Sequence, residues 1–259
     1  MPLVAARGLR FHVQELGAGP PLVMVHGLLI GSLASWYFTA APTLARRRRV
    51  RLYDLRGHGR SERAPSGYDL ASMAADLAAL TADLPAPIDL VGHSWGGLVA
   101  LRFALDHPDR VRRLAVVEAP LPPAHSAQLA VMLGGVADEG DDALTPARLI
   151  AALPPSLQAA VAGGRRQAER LLQSLQFLAL ESSLLADLRA EPDFADAALA
   201  TLRCPVLCAY GDHSACLPAG DRLARLLPTA RLLVLPGGHY LHLDARAALT
   251  AALEEHLDG

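Results

Sequence analysis

Short apolar runs alternate with amphipathic stretches along most of the chain. A continuous apolar run of four to eight residues is typical of a strand buried on both faces, whereas apolar residues spaced three and four apart are typical of a helix. The predicted strands lie at residues 10–16, 21–25, 50–54, 88–91, 114–117, 205–210 and 232–235. The predicted helices lie at residues 33–45, 70–84, 95–106, 218–227 and 245–257. This alternation predicts an α/β protein with a doubly wound, mostly parallel sheet.

One of these helices has a clear start signal. Its apolar residues follow helical spacing from Leu70 through Met73 and Leu77, and Asp69 stands directly before them as an N-cap. The helix predicted at 95–106 ends before Pro108, because the residue preceding a proline avoids helical backbone angles. The sequence therefore predicts the ends of some helices as well as their positions.

The pattern changes in the middle of the chain. Residues 121–200 show no strand signal, and leucines recur at helical spacing from 166 to 190. Thr145-Pro146 is typical of a helix start, and the small, acidic stretch 134–142 is typical of a loop. Parallel sheets bind ligands at the carboxyl ends of their strands. We therefore predict an α/β core from residues 1–120 and 201–259, with a helical cap or lid inserted at 121–200.

Composition excludes several classes of protein. The 259 residues are 52% hydrophobic and 19% charged, with a net charge of −2. Disordered chains are less apolar, and domains that bind nucleic acid through charge are strongly basic. Residues 16–45 carry no formal charge between Glu15 and Arg46, but prolines and His26 interrupt them. We therefore predict no membrane span, since a spanning helix needs about 20 mostly apolar residues in succession.

The cysteines indicate a reducing compartment. Cys204, Cys208 and Cys216 are an odd number clustered in one stretch, which is a poor disulfide framework. Their spacing also lacks a second Cys or His pair of the kind that binds structural zinc. We expect small buried hydrophobic side chains, with Cys204 and Cys208 on one face of a strand. The prediction is a cytoplasmic protein with no metal and no cofactor.

The segment Gly92-His93-Ser94-Trp95-Gly96 carries the strongest chemical signal. It matches G-x-S-x-G and stands between a predicted strand and a predicted helix, which is the context that this motif requires. The sharp turn exposes the serine hydroxyl at the helix N-terminus, and the two glycines avoid side-chain collisions within the turn. We predict Ser94 to be a nucleophile.

Two further elements complete a site for acyl transfer. The loop His26-Gly27-Leu28 follows a predicted strand, so the backbone N–H groups of Leu28 and Trp95 are predicted to form an oxyanion hole. His239 follows Gly237-Gly238 just after the final strand, and from there it can reach Ser94 as a general base. His242 is the nearby alternative. We expect His58 and His93 to be structural.

Together these elements resemble the α/β-hydrolase superfamily over essentially the whole chain. The matching segments are His26-Gly27, the run from Asp54 to Ser61, the run from Gly92 to Gly97, the run from His107 to Val111, and Gly238-His239. The resemblance implies a hydrolase fold, a Ser94 nucleophile, a His239 base and an acid between them in sequence. Asp54 and Arg56 fall in a recurrent loop motif that we interpret as structural.

The sequence departs from the family pattern at the acid. The position that usually carries an aspartate, three residues after Gly211, holds Ser214, and Asp212 comes too early. Glu118, at the end of the preceding strand, is the alternative. Haloalkane dehalogenases of one subgroup have a similar Glu-Ala pair at this strand end, although their nucleophile is an aspartate. We favour Glu118 over Asp212 as the group that orients the histidine.

These residues predict a hydrolase that cleaves an ester, lactone or thioester through an acyl-enzyme. The leucine-rich cap suggests a hydrophobic small-molecule substrate. A carbon–carbon bond hydrolase would reuse the same residues, and the fold also occurs in non-hydrolytic cyclases, isomerases and ligand receptors. The serine at position 214 keeps that last alternative open.

Overall fold

The computed structural model describes residues 3–122, 145, 147, 150–151 and 155–259. Its centre is an eight-stranded sheet with the order β1-β2-β4-β3-β5-β6-β7-β8. The β1–β2 and β2–β4 pairs are antiparallel and all other pairs are parallel. The strands are β1 Leu3–Ala6, β2 Leu9–Leu16, β3 Pro21–Val25, β4 Arg49–Tyr53, β5 Ile88–His93, β6 Val111–Val117, β7 Val206–Gly211 and β8 Ala230–Leu235.

Helices cover both faces of the sheet, as the predicted doubly wound class requires. They are α1 Ala34–Tyr37, α2 Ala41–Leu44, α3 Leu70–Leu80, α4 Trp95–Asp106, α5 Pro155–Ala162, α6 Arg166–Gln176, α7 Leu184–Ala190, α8 Asp196–Leu199, α9 Leu217–Leu226, α10 Leu241–Asp244 and α11 Arg246–Asp258. Along β3, Val23 and Val25 join a hydrophobic cluster that includes α3 and α4. Leu22 and Met24 join a second cluster that includes α11. Successive side chains of a strand point to opposite faces, so the strand is apolar throughout because both faces are buried.

Two predicted helices are broken in the structure. The helix predicted at 33–45 is two short helices, α1 and α2, with Pro42 in the first turn of the second. A proline ring would clash with the carbonyl four residues earlier in a continuous helix. The stripe at 166–190 divides into α6, a π-helical turn at Phe177–Glu181, and α7. The break lies at Ser182, whose hydroxyl donates to the carbonyl of Leu178.

Other expectations fare differently. Asp69 caps α3 as predicted, because its side chain accepts the Ser72 N–H at 2.8 Å, but the helix ends at Leu80 rather than 84. Strand β1 was not predicted. Cys204 precedes β7, so the expectation that it shares a strand face with Cys208 is wrong. Thr145-Pro146 and residues 134–142 lie largely or wholly outside the described residues.

Helices α5 to α8 lie between β6 and β7 in sequence, and α7 with the residue after it contacts the segment that leads into α3. Asp187 accepts the Tyr68 N–H, and Glu191 accepts the Leu70 N–H, both at 2.8 Å. A cavity of about 450 Å³ separates α6 from the loops at residues 29–32 and 58–59. These loops follow the carboxyl ends of β3 and β4. Among the described residues, no helix is long and apolar enough to cross a membrane.

Candidate active site

The turn between β5 and α4 holds Ser94 in a strained conformation. Its backbone angles, φ 55° and ψ −128°, lie in a region that residues other than glycine rarely adopt. A Cβ added to Gly92 would lie 2.2 Å from the carbonyl oxygen of Gly96, so the turn is too tight for a side chain there. The Ser94 N–H donates to Val117 O at 2.8 Å, which ties the turn to the end of β6. The hydroxyl therefore has a fixed direction, at the carboxyl end of the sheet.

His239 lies against this hydroxyl. Its Nε2 is 3.1 Å from Ser94 Oγ, which is hydrogen-bonding distance. The loop that carries it follows β8 and is held at three points. Gly237 N–H donates to Asp212, Gly238 N–H donates to Asp244, and the His93 ring donates to His239 O at 2.7 Å. His93 was expected to be structural, and this contact gives that role a specific form.

Glu118 faces the other ring nitrogen of His239. Its Oε2 lies 3.5 Å from His239 Nδ1, and the side chain is fully buried. The Gly211 N–H donates to Oε1 and the Ser214 hydroxyl donates to Oε2. The 3.5 Å separation exceeds an ordinary hydrogen bond, but such contacts are often long in unliganded sites and shorten when substrate binds. Ser214 thus occupies the usual acid position and holds the carboxylate that faces the histidine.

Asp212 is directed elsewhere. Its Oδ1 accepts the Gly237 N–H at 2.9 Å and lies 3.8 Å from His213 Nε2. The side chain is 44% exposed. In the described part of the chain, both of these carboxylate contacts bypass the His239 ring. Asp212 therefore holds the backbone of the loop that carries His239, at Gly237, two residues before the histidine.

The predicted oxyanion residues flank Ser94. Trp95 is the first residue of α4, directly after the serine. A Cβ added to Gly27 would lie 2.9 Å from the Cβ of Ser94, so the loop carrying Leu28 approaches the serine closely. Leu28, Ser94 and His239 line one cavity of about 140 Å³. A substrate carbonyl bound beside Ser94 would therefore lie close to both the loop that carries Leu28 and the first residue of α4, Trp95.

Burial keeps the neighbouring histidines neutral. It lowers the pKa of His93 well below its ordinary value, and the nearby His239 and His242 lower it further. Burial also lowers the pKa of His242 to about 4 and that of His58 to about 3. His58 Nε2 accepts the Leu29 N–H at 2.9 Å, as a neutral ring can. His242 lines the cavity, but no described hydrogen bond joins it to Ser94.

Sequence reasoning missed the position of Cys216. Its Sγ lies 3.6 Å from His239 Nδ1, on the same side of the ring as Glu118. Burial, together with the charge of Glu118, raises the pKa of this thiol to about 12, so it is protonated at neutral pH. Cys216 stands two residues after Ser214 in the turn that follows β7. That placement depends on how the turn folds back to the histidine, which spacing alone does not indicate.

Comparison with known proteins identifies the family. The family model described as alpha/beta hydrolase fold matches residues 20–141. A pimeloyl-[acyl-carrier protein] methyl ester esterase of Chromobacterium violaceum is 34% identical over 96% of this chain and 99% of its own length. The chain therefore belongs to the α/β-hydrolase superfamily, and its relatives support a hydrolase function.

Two other similar proteins span different chemistries. The crystal structure of an enol-lactonase from Burkholderia xenovorans has a TM-score of 0.77 and 22% identity, with all of both chains covered. A 2-hydroxy-6-oxo-2,4-heptadienoate hydrolase of Pseudomonas putida is 41% identical, over 45% of this chain and 44% of its own. The first shares the fold, and the second shares a well-matched part of the sequence. Neither defines the bond that this protein cleaves.

Proposed function

We propose that this protein hydrolyses an ester-type bond through a covalent acyl-enzyme on Ser94. The observation that carries the proposal is the 3.1 Å contact between His239 Nε2 and the oxygen of a serine held at positive φ. A serine hydroxyl is a weak nucleophile until a positioned base takes its proton. A strained serine turn facing a histidine supplies that arrangement.

Each neighbouring group has a step in this mechanism. His239 takes the Ser94 proton as the oxygen attacks the substrate carbonyl, and then donates it to the leaving group. Glu118 accepts the Nδ1–H, which keeps the Nε2 lone pair directed at Ser94 and stabilises the imidazolium that forms. The N–H groups of Leu28 and Trp95 stabilise the oxyanion. Water, activated by the same histidine, then releases the acyl group.

The proposed substrate is an ester, lactone or thioester of a hydrophobic small molecule. Ile30 and Leu243 line the cavity beside Ser94 and are 44% and 63% exposed, so the rim presents apolar surface. The methyl ester esterase relative acts on an ester and the structural neighbour is an enol-lactonase. The insertion at 121–200, whose described part holds helices α5 to α8, would then serve as the cap over this rim. A cytoplasmic location remains a prediction.

A substrate panel tests the proposal directly. Ester, lactone and thioester substrates of increasing acyl length are assayed with the wild type and Ser94→Ala. We expect turnover by the wild type only, together with covalent labelling of Ser94 by a fluorophosphonate. Labelling without turnover of any substrate would instead favour a non-hydrolytic role. Turnover that survives in folded Ser94→Ala would contradict the acyl-enzyme.

Carbon–carbon bond hydrolysis is the second candidate, because the heptadienoate hydrolase relative matches 122 residues at 41% identity. The same serine, histidine and oxyanion groups would serve, with a carbon leaving group in place of an oxygen one. A vinylogous diketone added to the panel separates the two. If it is cleaved at least tenfold faster than every ester, the ester assignment is wrong.

A further inference from the structure

His239 Nδ1 has two different ligating atoms within reach. Glu118 Oε2 lies 3.5 Å from it and Cys216 Sγ lies 3.6 Å from it. All three atoms fall within 4.8 Å of one another. Glu118 and Cys216 are buried, and the histidine ring is nearly so. A carboxylate, a thiol and an imidazole therefore converge on one small volume behind the histidine.

Two of the three separations between these atoms match the edges of a zinc coordination tetrahedron. Zinc bonds of about 2.0–2.1 Å to nitrogen, 2.3 Å to sulfur and 2.0–2.2 Å to oxygen give ligand–ligand separations of roughly 3.3–3.6 Å. The two separations from His239 Nδ1 lie at the upper end of that range. A nitrogen–sulfur–oxygen set selects thiophilic cations over Mg²⁺ or Ca²⁺, which prefer all-oxygen ligands.

We propose that Glu118, Cys216 and His239 form an inhibitory site for a thiophilic divalent cation such as Zn²⁺. Binding releases the Cys216 thiol proton to solvent and joins the cation to Sγ, to His239 Nδ1 and to a Glu118 oxygen. A neutral imidazole that ligates through Nδ1 carries its proton on Nε2. That proton points at Ser94, so the ring can no longer accept the serine proton. The cation therefore switches off the base without occupying the substrate cavity.

The inhibition rests on the proposed function, whereas the metal site can be tested without it. Co²⁺ is added to the full-length protein, and a thiolate-to-cobalt charge-transfer band is sought in the near ultraviolet. We expect the band in the wild type and in Cys204→Ala, and its loss in Cys216→Ala. Cys204 is the matched control, because it is another free cysteine that lies before β7, away from His239. Cys216→Ser, which keeps the side-chain volume, repeats the test if the alanine variant folds poorly.

Zinc inhibition is measured on the same variants, each normalised to its own metal-free rate. Loss of one ligand should raise the inhibitory Zn²⁺ concentration at least tenfold in Cys216→Ala, since even outer-shell losses cost about 10–100-fold in affinity. Chelation by EDTA should restore the wild type fully. A band absent from the wild type, or retained in folded Cys216→Ala, overturns the site. A band without any hydrolysis would leave the site standing and overturn the proposed function instead.

Discussion

The turn after β5 and the turns after β6 and β7 meet at His239, yet they are built in different ways. The Ser94 turn is marked by its own neighbours in sequence, because Gly92 and Gly96 pack at a distance that excludes a Cβ at position 92, although the Ser94 N–H also donates to Val117 O on β6. Glu118 also has a positive φ, of 54°, but no glycine stands within two residues of it to mark a tight turn. Its backbone N–H donates to Ala209 O at 3.0 Å, on the adjacent strand.

The carboxylate of Glu118 depends on the adjacent strand as well. Both of its described hydrogen-bond donors, Gly211 N–H and the Ser214 hydroxyl, come from the end of β7 and the turn after it. The comparison teaches that a local motif marks the turn of the nucleophile, whereas the position of the acid depends on contacts between two strand ends that no motif marks. A sequence motif can therefore predict the turn that holds Ser94. The contacts of Glu118 arise only from the pairing of β6 with β7.

The largest effect is expected at Ser94, whose turn the local motif marks. Ser94→Ala removes the nucleophile and should lower kcat by roughly four to six powers of ten, as loss of the serine does in a serine protease. The free energy of unfolding should change by no more than about 1 kcal/mol, because a small, half-buried side chain is shortened. Steady-state kinetics and urea unfolding measure the two. A folded variant with a tenth of wild-type activity would exclude Ser94 as the nucleophile.

The next effect separates the two carboxylates. Glu118→Gln should lower kcat at least a hundredfold, because loss of the orienting acid costs roughly ten-thousandfold in a serine protease. Asp212→Asn should lower kcat less, because the Asp212 carboxylate accepts the Gly237 N–H and the amide oxygen of the new asparagine can still accept it. Kinetics on both variants, with circular dichroism as the folding check, decide the ranking. A larger loss in Asp212→Asn would reverse it.

Ser214 should have an intermediate effect. Ser214→Ala removes a donor to the Glu118 carboxylate, and a hydrogen bond to a charged group contributes about 1.5–3 kcal/mol. We expect kcat to fall roughly tenfold or more with KM nearly constant, since the carboxylate holds His239 rather than substrate. Ser214→Thr retains the hydroxyl and should recover most of the loss. Equal kinetics for Ser214→Ala and the wild type would show that Glu118 needs no such support.

A double variant sharpens the same comparison. In Glu118→Gln, adding Ser214→Asp places a carboxylate at the usual family position, one bond from the present hydroxyl. Because the Ser214 hydroxyl and His239 Nδ1 both contact Glu118 Oε2, the new carboxylate should reach the ring. We expect the double variant to exceed Glu118→Gln at least fivefold in kcat. No recovery in a folded double variant would show that position 214 cannot seat the acid.

His93 connects the Ser94 turn with the loop that carries His239, and its substitution should lower kcat less than the changes above. Its ring stands next to Ser94 and donates to His239 O at 2.7 Å. His93→Leu removes that donor, which is worth about 0.5–1.5 kcal/mol, so kcat should fall only a few-fold. His93→Gln, which can donate from its amide, should fall less. Identical losses in the two variants would mean that packing, rather than the hydrogen bond, gives His93 its role.

The last effect is on stability rather than on kcat, and it concerns pH and His58, whose ring accepts the Leu29 N–H. His58 has a folded pKa of about 3 against an ordinary value of 6.5, so the unfolded chain binds the proton more readily. The contribution of neutral His58 to the free energy of unfolding is therefore fully present above about pH 6.5, and it is lost progressively as the pH falls toward 3. Urea midpoints at pH 7 and pH 4.5 should differ more in the wild type than in His58→Gln, which cannot titrate. Equal differences would place the acid sensitivity elsewhere.

The sequence by itself determined the elements whose causes are local. Short apolar runs predicted the parallel strands from β3 to β8, because most of their side chains pack on the two faces of the sheet, although charged residues such as Arg51 and Asp89 also fall within the strands. The glycines around Ser94 predicted its turn, and Asp69 predicted the start of α3. Two helix breaks were nevertheless missed although their causes are also local. A proline divided the helix at 33–45, and a serine divided the stripe at 166–190.

Only the tertiary structure decided what surrounds His239. Glu118, Ser214 and Cys216 lie on two segments that are far apart in sequence, and the β6–β7 pairing brings the segments together. Sequence reasoning ranked Glu118 above Asp212 by strand-end position, but it could not foresee that Ser214 would hold the carboxylate or that a thiol would share the ring nitrogen. A parallel sheet gathers the ends of strands that are distant along the chain. Spacing along one segment therefore carries no information on which side chains meet across that edge.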